Sequence, residues 1–378
     1  MVKAKKLRRK KKEPAKRRNN KSLLDLQIMK FLVRLLLLFV FLLACMQGLI
    51  LLGIVTSNPI PESRNLSMQF IDEIPVVRPS AASVALSKLG LTPFFTSKRT
   101  LATVMVENHE DARPFQEGLD RALIVQEWPV EGMISRFAAI FDIKDLPKRI
   151  GPVRSLRPYF LESILPWETV VFHAGGSPEA LDKIYGSSKL TSINGIAGAY
   201  WELFDRNEDS VPPHDLFVNK DIITTYTRNE DPEPVAWPPY TEGKALPALA
   251  VNEININFFS PLHNVHYTYN PYAQHYMRTN GNVIRQAFPR NVLILEVPIV
   301  STGEYGRLNM PIIGNGRAYL FRSGYMYEGR WKKNGEFSEF EFVDLNYNPL
   351  IFAHGQTWIT AVPNINNVSW EDIVEEEV

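Results

Sequence analysis

The stretch GPVRSLRPYF, residues 151–160, sets Arg154 and Arg157 three positions apart, with Ser155 between them and a proline on either side. Two guanidiniums so spaced suit an anion, because the planar arginine fork matches the oxygens of a carboxylate or phosphate. Ser155 predicts a helix N-cap, with the helix opening near Leu156 and Pro158 tolerated in the first turn. A helix start offers free N–H groups and partial positive charge, so this segment would serve anion binding. The structural alternative is that both arginines pair with internal carboxylates such as Glu131.

A second stretch, VFHAGGSPEAL (171–181), reads as a strand ending at His173-Ala174 and a sharp turn at Gly175-Gly176. Ser177 then caps a helix whose first position is Pro178. Glycines let a ligand approach the backbone, and a histidine there could exchange protons near neutral pH. A third, EWPVEGMISRF (127–137), supplies Glu127 and Glu131 as proton-transfer groups and Arg136 as a clamp, or else ion pairs across neighbouring strands. The expected site therefore has His173 and Glu131 as catalytic groups. Arg154, Ser155, Arg157, Arg136, Gly175, Gly176, Ser177 and Arg113 form its ligand-binding set.

No metal set is expected. His214 and Asp215 are adjacent in PPHDLF, and the two histidines of HNVH (263–266) would point to opposite faces of a strand. There is no HExxH pair and no nucleophile elbow. The chain's one cysteine, Cys45, lies in an apolar run, which removes disulfides, thiolate metal sites and a cysteine nucleophile from the rest. The residues name no cofactor.

The elements that would carry these motifs follow from charge and hydropathy. The net charge of +1 averages two unlike parts: residues 1–34 hold 14 Lys and Arg against two acidic residues, while the remainder holds 28 against 39. The basic head, 1–30, cannot bury a core. Residues 31–55 predict a transmembrane helix, since Leu35–Val55 is a run of 21 residues without a charge. The positive-inside rule keeps the N-terminus cytoplasmic and the bulk outside as a single-pass cell-membrane protein. The alternative is a lipoprotein anchored at Cys45, from LLAC at 42–45. Either way the membrane is a partner, a cell-wall polymer or envelope protein is a possible second one, and no nucleic acid is expected.

Beyond the anchor, 56–95 reads as a proline-marked stalk with a short helix at 80–90. Residues 96–235 alternate apolar β-rich runs with helices at 155–165, 178–186 and 219–227. A Pro-rich linker at 228–247 leads to a strand-dominated stretch, 245–363, and an acidic tail, 364–378. Hairpin turns are expected at Ser323-Gly324 and Asn334-Gly335. Aromatics at Tyr319, Phe321, Tyr325, Tyr327 and Trp331 read as a strand packing face or a ligand platform. The fold class is α+β: a transmembrane helix, an α+β domain and a mostly-β C-terminal domain.

The motifs ARPFQEGL (112–119), EWPVEGMISRF, IGPVRSLRPYF (150–160), HAGGSP (173–178), PHDL (213–216), GNGRAYLFRSGYMYEGRWKK (314–333) and GQTWITAVP (355–363) resemble the YerB-like lipoprotein family of bacteria. The match covers roughly residues 96–363. The chain departs from the family's pattern at Met133, where a second glycine is usual, and at Gln126, where a tyrosine is. The resemblance implies an envelope-exposed two-domain protein of Gram-positive type or a related lineage, and supplies no reaction. Two functions are then expected in outline: binding of an anionic or glycan wall component through the arginines, or hydrolysis of a phosphodiester or glycosidic bond.

Overall fold

In a computed structural model, residues 97–227, 234–235, 248–281, 283–284, 287–303 and 305–372 are described. The basic head, the apolar run with Cys45, the stalk and most of the linker lie outside them. Among the described residues no helix is long and apolar enough to cross a membrane.

The chain builds a mixed α/β architecture around one large sheet. Its strands are β1 (Leu101–Val106), β2 (Ile124–Pro129), β3 (Ser135–Asp142), β4 (Val170–His173), β5 (Thr191–Asn194), β6 (Leu249–Ile256), β7 (Val265–Asn270), β8 (His275–Asn280), β9 (Val283–Ile284), β10 (Asn291–Glu296), β11 (Gly314–Arg322), β12 (Tyr325–Lys333), β13 (Glu341–Asp344), β14 (Thr357–Val362) and β15 (Val368–Asp372). The order is β9-β8-β7-β6-β12-β11-β10-β14-β2-β3-β1-β4-β5, with β13 beside β12 and β15 beside β6. Three short α-helices accompany it: α1 (Pro158–Ile164), α2 (Pro178–Tyr185) and α3 (Lys220–Thr227).

β1, β2 and β14 are buried along their whole length, and their sequences (LATVMV, IVQEWP, TWITAV) are near-continuous apolar runs for that reason. On one face Met105, Trp128 and Ile140 pack with Phe160 and Leu161 of α1 and Ala180 of α2, and the same cluster runs on to Leu293, Leu320 and Trp331. On the other face Val104, Phe137 and Phe172 pack with Val153, Val218 and Ile223 of α3.

The two stretches separated in the sequence are not separate in the sheet. β14 comes from the C-terminal stretch, yet it lies parallel between β10 and β2, with Thr357 opposite Ile124 and Thr360 opposite Glu127. Beside this seam Arg278 of β8 donates from Nη2 to Glu127 Oε1 of β2, and neither side chain has any solvent exposure. The guanidinium carbon sits 4.5 Å from the Trp358 ring centre and 5.4 Å from that of Phe137. Arg113 makes a second junction: its Nη2 lies 2.8 Å from His263 Nδ1 and its Nη1 donates to the Leu262 carbonyl.

Two local expectations hold and two differ. Ser323-Gly324 does turn a tight hairpin, with φ of 53° and 78° at the two residues. Asn334-Gly335 does not, because Lys332 pairs with Glu341 and residues 334–340 form a wider loop. The buried Lys333 ammonium holds that loop open, donating to the carbonyls of Glu336 and Ser338. The acidic tail begins as structure: β15 runs antiparallel to β6, and the Trp370 ring meets that of Tyr319 edge-on at 5.2 Å. Tyr319, Phe321 and Trp331 are buried, so these aromatics build core and not a platform.

Removing one partner of a sealed ion pair strands the other charge in a low-dielectric interior. Arg278→Met should therefore lower unfolding stability by about 3–5 kcal/mol in urea titrations of the full chain, and the Glu127→Gln/Arg278→Met double variant should regain most of it. Tryptophan fluorescence and circular dichroism should report one shared transition; two resolved transitions would contradict a sheet common to both halves.

Candidate functional site

The arginine segment lies where β1 and β4 end. These two strands are parallel neighbours through Ala102–Val104 and Val170–Phe172, and at their C-terminal ends residues 152–156 enter between them. Glu107 N–H donates to the Pro152 carbonyl at 2.9 Å and Arg154 N–H to that of Met105 at 2.8 Å. From the other side Ala174 N–H donates to Arg154 and Ser177 N–H to Leu156, while Leu156 N–H donates to Gly175. The first and second motifs thus meet beyond the carboxyl ends of two parallel strands, the side on which open α/β sheets commonly take ligands.

The residues serve that meeting differently from expectation. α1 opens at Pro158 with Arg157 as its N-cap and no side-chain cap, so Ser155 lies ahead of the helix and only its carbonyl is engaged. A proline whose ring fixes φ starts the helix without a capping hydroxyl. Ser177 caps α2 as expected, its Oγ accepting from Ala180 N–H at 3.3 Å. Gly175 has φ of 70°, and a Cβ on Gly176 would lie 3.2 Å from Leu156 Cβ. Gly176 therefore makes room for the arginine segment, and Gly175 before it supplies the left-handed turn. Met133 has φ of 59°, in the left-handed region that favours glycine.

His173 is a correction. It is fully buried, with Nδ1 2.8 Å from the Gly175 carbonyl and Nε2 2.8 Å from Ser192 Oγ. The carbonyl requires a proton on Nδ1, so Ser192 donates to Nε2 and the ring is neutral. Burial pushes its pKa down to about 4, against the backbone hydrogen bond that favours the charged form. A ring with both nitrogens engaged and no face to solvent holds the turn to β5. Glu131 is also committed. Its two oxygens accept from Arg157 Nε at 2.7 Å and Nη2 at 2.6 Å. Burial raises the Glu131 carboxyl, but the Arg157 hydrogen bonds and charge, a backbone hydrogen bond and the Arg136 charge together hold it below its ordinary range.

Three guanidiniums remain side by side. Arg157 is bound to Glu131; Arg154 Nε is 2.9 Å from Glu107 Oε1. Arg136 donates from Nη1 to the Ser155 carbonyl at 2.9 Å, and among the described residues no carboxylate lies within ion-pair distance of it. Burial, and then the neighbouring Arg157 and Arg154, bring its pKa down to about 10. Arg113 stands apart at the junction between halves, also lowered to about 10 by burial first and Arg278 second.

Sequence reasoning missed Glu107 as the partner of Arg154, and it missed the His109–Glu110–Asp111 loop that follows. Glu107 Oε2 also lies 2.8 Å from His214 Nδ1, and the His109 and His214 rings stack at 5.2 Å. The signal was present in ENHED, residues 107–111, directly after an apolar strand. His266 of HNVH is held by Asn255 and Thr268, away from His263.

An arginine segment wedged between parallel strand ends, on a sheet completed by a strand from a β-rich second half, is the arrangement of a two-domain family. The chain belongs to it: residues 91–233 match the N-terminal domain, and 254–359 the C-terminal domain, of the protein of unknown function DUF3048. A relative in Bacillus subtilis (strain 168) carrying the name "Putative lipoprotein YerB" is 30% identical over 290 residues, 72% of this chain and 84% of its own. The crystal structure of the YerB protein from Bacillus subtilis superposes with a TM-score of 0.64 at 28% identity, covering 72% of this chain and 94% of that one.

The buried neutral His173 has a measurable signature. Its folded pKa lies below the ordinary 6.5, so the unfolded chain takes up the proton first and stability falls as pH drops from 6.5 toward 4. Between pH 7 and pH 5 this one group should remove about 2 kcal/mol. Urea midpoints of His173→Gln should show a flatter slope across that window than those of the parent chain.

Proposed function

We propose that the chain is a membrane-anchored protein of the bacterial cell envelope whose arginine cluster holds a phosphate- or carboxylate-bearing wall component. Its family membership and the lipoprotein name of its relative support the location, together with the charge-free run at Leu35–Val55 behind a basic head. The observation that carries the binding reading is Arg136. Three guanidiniums are gathered around two carboxylates, and the one without a carboxylate partner is pressed by the charges of the other two. An arriving anion would relieve that repulsion and would find Arg154, about a quarter exposed, at the rim. Hydrolysis loses its support, since His173 is sealed and Glu131 is bound to Arg157.

The test is direct titration of the full chain in detergent with a poly(glycerol phosphate) oligomer, and with a neutral glucan as control. Binding should be salt-sensitive, and Arg136→Gln or Arg154→Gln should weaken it about 10- to 100-fold, the range for a lost charge-assisted hydrogen bond. Equal binding by the parent chain and the double variant, with unchanged circular dichroism, would refute the reading.

A further inference from the structure

The loop that leaves β1 and the turn that precedes Leu216 come together at the edge of the arginine cluster. His109, Asp111 and His214 each offer one ligand atom there, and those atoms lie within 4.8 Å of one another. Tetrahedral ligands about 2.0–2.2 Å from a common ion stand about 3.3–3.6 Å apart, so the three side chains would draw inward by up to about 1.5 Å to close the set.

Each imidazole has one nitrogen beside a carboxylate outside the set. His214 Nδ1 is 2.8 Å from Glu107 Oε2, so it carries the proton and leaves Nε2 as a bare donor atom. His109 Nδ1 accepts from Asp111 N–H at 3.3 Å and lies 3.5 Å from Asp111 Oδ2, while its Nε2 is 3.5 Å from Glu110 Oε2. Carboxylates behind both rings are the support that metal-bound histidines ordinarily have: they fix the tautomer and raise the basicity of the ligating nitrogen.

Two further observations point the same way. Glu107 is 5% exposed, and beyond its own backbone both its oxygens are committed, one to His214 and one to Arg154; a buried carboxylate is placed to aim an imidazole. Glu110 Oε2 is shielded from solvent without a hydrogen-bond partner, 3.8 Å from His263 Nε2 on the C-terminal side of the junction. It is poised for a proton from His109 Nε2 once Nδ1 is taken by an ion.

We infer that His109, Asp111 and His214 form a binding site for a divalent transition metal ion, with Glu107 and Glu110 as the carboxylates behind the two histidines. Two imidazoles and one carboxylate without sulfur suit Zn2+ and its first-row neighbours better than Ca2+ or Mg2+. Asp111 is exposed, so the fourth position opens to solvent and an exchangeable oxygen ligand would occupy it. The inference stands without the anion reading. An ion here would nevertheless lie one carboxylate away from Arg154 and add positive charge beside the cluster.

The experiment is isothermal titration of the untagged, metal-stripped full chain in detergent with ZnCl2, and with MgCl2 as control. One Zn2+ per chain should bind, with Mg2+ at least 100-fold weaker. Asp111→Asn, at an exposed position where folding is not at risk, should weaken Zn2+ at least 10-fold, and His214→Ala at least 100-fold. Glu107→Gln should lose about 10- to 100-fold, as second-layer partners do. His266→Ala, held elsewhere by Asn255 and Thr268, should bind as the parent does. Co2+ should give visible d–d absorption that Asp111→Asn alters. Absence of saturable Zn2+ binding, or affinity and Co2+ spectrum both unchanged in Asp111→Asn, would overturn the site. Zn2+ binding by a chain that fails to bind the poly(glycerol phosphate) oligomer would leave this inference standing and count against the anion reading alone.

Discussion

One carboxylate and one guanidinium, both sealed from water, fix how the halves of this protein meet. Glu127 and Arg278 are far apart in sequence, and in the fold they sit beside the junction of β2 and β14 with aromatic rings around them. Burying two charges is costly, and the cost is offset only when the partners stay in register. A slip of β14 by one residue against β2 would turn Trp358 and Thr360 to the opposite faces and dismantle the rings around Arg278. The pair therefore specifies alignment more than it adds stability. It also reaches the functional region through side chains: Ser135 donates to Glu127, Asn108 donates to Ser135, and Asn108 accepts from Arg113. The loop carrying His109 and Asp111 starts from that network.

Much of the fold was legible because local chemistry decided it. Apolar runs marked β1 to β4, the Ser177-Pro178 start marked α2, and Ser323-Gly324 marked its hairpin. The start of α1 was misread because proline preorganisation displaced a serine cap, which only the backbone around Arg157 reveals. The wider loop at 334–340 depends on a lysine buried by distant packing. Least legible was the path of β14. TWITAV announces a buried strand, but nothing in it says that one neighbour lies in the other half of the chain.

The candidate site was legible in a similar proportion. The arginine segment and the glycine turn read in the sequence as parts of one ligand site, and their backbones do lie side by side. The state of His173 could not be read, since its partners are a carbonyl two residues on and a serine from the next strand. The ENHED loop was overlooked because a charged, polar run looks like ordinary solvated surface until His214 is brought beside it.

The placement of β14 has a consequence for biosynthesis. A ribosome delivers β1 to β5 well before Thr357–Val362 exist, so the nascent first half must wait with the β2 edge unfilled. An unfilled edge of apolar, fully burying sequence is the surface on which strands of other chains add. Completion by so late a segment means that such a polypeptide is safe from that fate only once Thr357–Val362 have been made.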